Sequence, residues 1–279
     1  MIYCKELNEN YDNEKDLFKD LRDNKDLIIS SKKSKIYEGV NKGVVYANSQ
    51  ESIQKVLTTE KGISIDDSYY YFVVNSSKIL DSHRDLHIDG NWEKTKKEQQ
   101  GKVFLVFDHQ LKRDDIIAMK EDIELVTATI PFATIGKGYA GDTYCLIYKV
   151  RKDKIINTQA KEWLEKGYSL EASVRMQYMD IVFCANSNDE DDVKEKQNFD
   201  KYYPTIANKN EFENIRYFWA IKQAKNTMES SLVMFGSNSA TGLIPETKET
   251  EPSKDTQSEP SKDTQANKID YKYLIENLK

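Results

Sequence analysis

The sequence predicts an α+β protein in which a curved or closed antiparallel sheet is surrounded by a few helices. Three observations carry this. Short runs rich in β-branched and aromatic residues recur from residue 69 onward, bounded by Gly, Asn, Asp or Pro, the composition of strands and their turns. A single well-capped helical segment lies between the fourth and fifth of these runs. From residue 245 the composition becomes that of a tail with nothing to bury. Strand-rich chains with one or two helices belong to the α+β class.

The elements follow in order. Residues 1–62 are polar and mixed, and read as a lead-in outside the core. Within them, 16–27 (D-L-F-K-D-L-R-D-N-K-D-L) has leucines at helical spacing, and 50–57 predicts a second helix capped by Ser49. The main domain, 63–244, is predicted to hold strands at 69–74, 103–107, 123–130, 143–150, 170–176, 178–184, 215–221 and 231–235. The helix over 158–165 is capped by Asn157 or Thr158, and Gly167 stands where a left-handed glycine ends such helices. The acidic, Asn-rich stretch 185–213 reads as a mobile surface insertion. The segment 136–141 (G-K-G-Y-A-G) lacks the G-K-[ST] ending of a phosphate loop and joins two strands, so it predicts a flexible turn. Residues 245–279 hold three of the five prolines and the repeat E-P-S-K-D-T-Q at 251–257 and 259–265, and are expected to be disordered. A short amphipathic helix closes them, with Ile269, Tyr273, Leu274 and Leu278 on one face, suited to docking on a partner or on its own domain.

Composition narrows the function. A net charge of -6 with interleaved lysines and acids argues against direct nucleic-acid binding. Cys4, Cys145 and Cys184 are widely spaced and odd in number, which predicts reduced thiols and neither a disulfide framework nor a zinc site. No run approaches a membrane span and the first ten residues lack signal-peptide features, so an intracellular soluble protein is expected. No cofactor motif emerges.

Two candidate constellations remain. His83 and His87 lie in D-S-H-R-D-L-H-I-D-G-N-W (81–92), with Asp81, Asp85 and Asp89 near them. The spacing fits a surface turn better than a metal site, because no further ligand motif accompanies it. His109 ends the apolar run V-F-L-V-F, a rigid place from which to present an imidazole. Ser173 lies in L-E-A-S-V-R-M, where alternation places Ser169, Glu171, Ser173 and Arg175 on one face and the apolar residues on the other. Glu229 lies in M-E-S-S-L-V-M-F, and Ser169, Ser230 and Ser231 compete with Ser173 as candidate nucleophiles. Serine, histidine and a carboxylate are the parts of an activated-hydroxyl hydrolase. A cysteine hydrolase using Cys184 is a weaker alternative, since its neighbourhood is acidic.

Four segments in order resemble the prohead (capsid-maturation) serine proteases of tailed phages, distant relatives of the herpesvirus assembly proteases: 81–92, F-L-V-F-D-H-Q, K-G-Y-S-L-E-A-S-V-R-M and E-S-S-L-V-M-F-G-S-N-S-A. The resemblance covers roughly residues 70–242. It implies a small distorted β-barrel, with Ser173 as nucleophile, His109 as general base and Glu229 as the orienting acid. It implies scaffold and major capsid protein precursors, and the chain itself, as substrates, a place inside the immature capsid in the host cytoplasm, and a homodimer as a candidate assembly. The chain departs from the family pattern at Arg175, where glycine is usual, at 236–238 (G-S-N for P-A-N), and at His83-Arg84 before Asp85. The alternative is a catalytically inactive, capsid-associated structural relative.

Overall fold

The computed structural model describes residues 1–38, 43–46 and 68–233, with 43–46 described as backbone only. The helix expected at 50–57 and the expected disordered tail, repeat and terminal helix lie outside the described residues, as does the closing G-S-N segment.

The described chain is α+β. A two-stranded ribbon pairs β1 (Ile2–Cys4) with β2 (Glu9–Tyr11). Two helices follow, α1 (Glu14–Asp23) and α2 (Lys25–Ser34). The single helix expected at 16–27 is thus two, broken at Asn24. That residue closes α1 with its backbone N–H on Asp20 and its side-chain amide on the same carbonyl. A seven-stranded sheet has the hydrogen-bonded order β3 (Ile36–Glu38), β11 (Ser169–Ala185), β12 (Tyr217–Val233), β7 (Phe104–Phe107), β8 (Ile116–Ala118), with β4 (Gly43–Tyr46) on β11 and β6 (Asp85–His87) on β12. A three-stranded sheet has the order β5 (Tyr69–Ser76), β10 (Asp142–Arg151), β9 (Ile123–Pro131). Among the described residues both sheets are open, and no ladder closes a barrel. They come together through packing, with β4 running beside β5.

Side-chain alternation explains the layers. In β11, Leu170, Ala172, Val174, Met176 and Tyr178 enter the main core. They meet Phe72 and Val74 of β5 and Leu146, Tyr148 and Val150 of β10 there. The intervening residues of the three-stranded sheet, Tyr71, Val73, Val126, Ala128 and Ile147, face a second cluster with Phe132 and Ile135. Residues 136–141 connect β9 to β10, as the turn reading of the glycine-rich stretch requires.

The pairs of strands expected at 170–176 and 178–184, and at 215–221 and 231–235, are each one 17-residue strand. Gln177, left between the first pair, stands in register opposite Lys225, and the ladder shifts on either side of it, between Val174 and Met176 and around Asp180. Such bulges bend a strand without ending it.

Two further expectations are corrected. The N-terminal segment is no mere lead-in: Cys4, Tyr11, Leu17, Phe18, Leu21 and Ile28 belong to the main apolar cluster. Nor is 185–213 a loose loop. It contains α5 (Val193–Tyr202), whose Phe199 and Tyr202 pack with Ile206 on Leu80, Leu86 and Phe218. Its charges are partnered: Asp192 accepts from Arg22 at 2.9 Å and Glu195 from Lys25 at 2.7 Å. The acidic run 189–192 ahead of it concealed a helix whose apolar face needed a distant partner. The two remaining helices are α3 (Glu93–Gln99) and α4 (Thr158–Glu165). In α4 the Asn157 side chain accepts from the Ala160 amide and Gly167 is left-handed at φ 70°, as the sequence predicts.

Phe199→Ala is expected to cost about 3–5 kcal/mol of folding free energy, measured by urea denaturation. A change below about 0.5 kcal/mol, the range of surface substitutions, would mean that this segment does not pack on the core.

Candidate active site

The two histidine-bearing segments end in different environments. In 81–92 the turn residues Ser82 and His83 are exposed, while Asp81, Asp85 and His87 are buried. Asp81 Oδ1 accepts from the backbone N–H of His83 at 2.7 Å and of Asp85 at 2.8 Å, which closes a tight turn through left-handed Arg84 at φ 57°. Asp85 is fully buried and accepts from Lys32 Nζ at 2.5 Å. His87 is also fully buried, stacks on Trp92 and accepts at Nδ1 from the Asn91 amide at 2.7 Å. The surface-turn reading holds at Ser82–His83 and Asp89–Gly90 and is corrected between them: β6 enters the sheet beside β12, where Asp85 and His87 flank Leu86. Among the described residues no group of three or more His, Cys, Asp or Glu is arranged to hold a metal ion.

His109, Ser173 and Glu229 converge. His109 Nε2 lies 2.7 Å from Ser173 Oγ, and His109 Nδ1 lies 2.8 Å from Glu229 Oε1. One tautomer satisfies both contacts: Nδ1–H donates to the carboxylate and Nε2 accepts from the hydroxyl. The distances fall within the range for nucleophile and base in direct hydrogen bond, about 2.6–3.2 Å.

The sheet explains how residues 64 and 120 positions apart meet. β11, β12 and β7 are neighbours, with Ser173 of β11 opposite Ser231 of β12, and Ser231 opposite Val106 of β7. Two irregularities then aim the side chains. Between Asn226 and Ser230, β12 holds two more residues than β11 holds between Met176 and Val174. This bulge includes Met228 at φ 69° and carries Glu229. It is held from inside by Asn226, which donates to the Glu229 carbonyl at 3.1 Å and Ser230 Oγ at 3.0 Å and accepts from buried Tyr148. At the end of β7, Asp108 and His109 are both left-handed, at φ 44° and 56°. Left-handed backbone in non-glycine residues costs roughly 1–2 kcal/mol each. The turn is pinned by Asp108 N–H on the Leu232 carbonyl at 3.0 Å and by His109 N–H on Ser231 Oγ at 2.8 Å.

Glu229 is fully buried. An unpaired carboxylate there would be costly, by several kcal/mol. Its two oxygens have separate donors, His109 Nδ1–H and the Ser231 hydroxyl at 2.8 Å. Ser173 is 3% exposed and the His109 side chain 11% exposed. Arg175, on the same face of β11, has Nε 3.6 Å from Glu38 Oε1. Along the outer edge of β11, β4 pairs with Ser169–Ala172 and β3 with Arg175–Gln177, so Ser173 and Val174 fall between the two ladders.

Of the competing serines, Ser230 and Ser231 are buried in hydrogen bonds. The side chain of Ser169 lies outside the described residues. Asn226 and the structural part of Ser231 were not singled out from sequence. Polar residues inside an otherwise apolar run, S-S before L-V-M-F, are the signal that pointed there. Cys184 is buried, and burial pushes its thiol far above neutral, which leaves no thiolate for a cysteine hydrolase.

Burial pushes the His87 imidazole down to about 3. In the unfolded chain it takes a proton below about pH 6.5, and the folded state does not. The unfolded state is therefore favoured as pH falls, and about 1.4 kcal/mol of stability is lost per pH unit between about 6.5 and 3 on this account. In urea titrations at pH 7, 6 and 5, His87→Phe is expected to flatten this slope by close to one proton. An unchanged slope would mean that His87 is not the group excluded from protonation. No protein-family model matches the sequence, and neither a curated protein nor a solved structure is matched by it.

Proposed function

We propose that this protein is a serine endopeptidase of the prohead type, acting on scaffold and capsid precursor proteins, and on itself, inside an immature phage capsid. The single observation that carries the hydrolase part is the continuous chain of hydrogen bonds from Ser173 through His109 to Glu229. The prohead part rests on the four ordered motifs of the sequence, 81–92 and those bearing His109, Ser173 and Glu229. On this reading the two packed sheets correspond to a distorted barrel opened along its seam.

The chemistry follows from the arrangement. Ser173 Oγ attacks the scissile carbonyl as its proton passes to His109 Nε2. The imidazolium formed is stabilised by the Glu229 carboxylate on Nδ1 and returns the proton to the leaving amine. Water then repeats the sequence on the acyl-serine. Confinement within a capsid would raise the local substrate concentration, so high affinity is not needed.

A second reading is an inactive capsid-associated protein that keeps this fold. It is favoured by the 3% exposure of Ser173 and by Arg175 where the family usually has glycine. A fluorophosphonate probe separates the two. On the protease reading it labels Ser173, found by peptide mass spectrometry, and Ser173→Ala takes up none. His109→Ala slows labelling by orders of magnitude, in line with roughly 10⁴- to 10⁶-fold losses on removing a triad member. Absence of label on the folded wild-type chain would leave the structural reading.

A further inference from the structure

Ser231 is used twice at this site, and neither use is accounted for by the three groups that carry the reaction. Its Oγ accepts from the backbone N–H of His109 at 2.8 Å and donates to Glu229 Oε2 at 2.8 Å. It also lies 3.3 Å from His109 Nδ1. Ser231 is fully buried and stands opposite Ser173 in the β11–β12 ladder. A single hydroxyl therefore ties the backbone of the base to the carboxylate that orients it, under the strand that bears the nucleophile.

We propose that Ser231 is a positioning residue that sets the reactivity of His109. The proposal rests on the serine-hydrolase reading. It assigns Ser231 two tasks. By accepting from His109 N–H, it holds a left-handed residue whose backbone would otherwise relax and swing the imidazole off Ser173. By donating to Glu229, it takes up part of the carboxylate charge and fixes the other oxygen on Nδ1–H. Removal of the hydroxyl leaves a buried N–H and a buried carboxylate oxygen each short of a partner. Glu229 is then free to turn its other oxygen away from Nδ1–H. Ser230, one residue earlier, has no such link: its hydroxyl accepts from Asn226 within the bulge.

The test is the second-order rate at which a fluorophosphonate probe labels Ser173 in the full chain. It compares wild type, Ser231→Ala and Ser231→Thr, with thermal melting as a control for folding. Ser231→Ala is expected to slow labelling roughly ten- to hundredfold, the scale of a small misplacement of reacting groups. Ser231→Thr, which keeps the oxygen, should recover most of the rate, a rescue that a merely space-filling role would not require. If Ser231→Ala melts below the assay temperature, Ser231→Cys, a weak donor of similar size, is measured in its place with the same expectation. A wild-type rate in the alanine or cysteine variant overturns the proposal and leaves the hydrolase reading standing. Wild-type protein that takes up no label overturns both.

Discussion

Everything at the candidate site depends on the pairing of β11 with β12. These two strands are each 17 residues long, and their ladder runs from Glu171 opposite Val233 to Ala185 opposite Tyr217. Their register fixes which residue of one strand meets which of the other. A slip of one position would send every side chain to the opposite face, placing Ser173 in the apolar core with Ala172 and Val174 outside it. The core side of β11, from Leu170 to Tyr178, therefore positions the nucleophile as firmly as any contact within the site.

Within that frame the reactive geometry comes from departures from regular structure. A plain strand would point Glu229 according to alternation alone. The bulge between Asn226 and Ser230 re-aims it, and Tyr148, Asn226 and Ser230 are joined by hydrogen bonds inside it. A plain strand end would leave His109 in solvent. The two left-handed residues at 108 and 109 turn the chain back over β12. Burial of Glu229 is tolerable because both oxygens are donated to, and water has little access to compete with either bond.

Much of this was legible in the sequence, for identifiable reasons. Local signals spoke for themselves: the Asn157 cap and Gly167 bracket α4, and the alternation through Ser173 separates core from site. His109, Ser173 and Glu229 lie at or in apolar runs, which left Ser169, Ser230 and Ser231 in competition; the roles came from the resemblance of the four ordered motifs. Features set by tertiary partners were not readable. The helix over Val193–Tyr202 follows an acidic run, is charged at half its positions, and reveals itself only when Phe199 finds Phe218. Asp85 and His87 looked solvent-exposed until Lys32, 53 positions before Asp85, was seen to neutralise one and Trp92 to cover the other. Closure of the sheet is a long-range property, and the described strands form two open sheets where the family resemblance implied a barrel.

The central claim is that His109 is held between a hydroxyl and a carboxylate, and ¹⁵N-histidine NMR measures this directly. The account predicts that the neutral His109 ring is a single tautomer, with its proton on Nδ1 toward Glu229 and Nε2 accepting from Ser173. The Nδ1 signal should move in Glu229→Gln and the Nε2 signal in Ser173→Ala. Averaged ring nitrogens that neither substitution disturbs would show that the three groups do not meet.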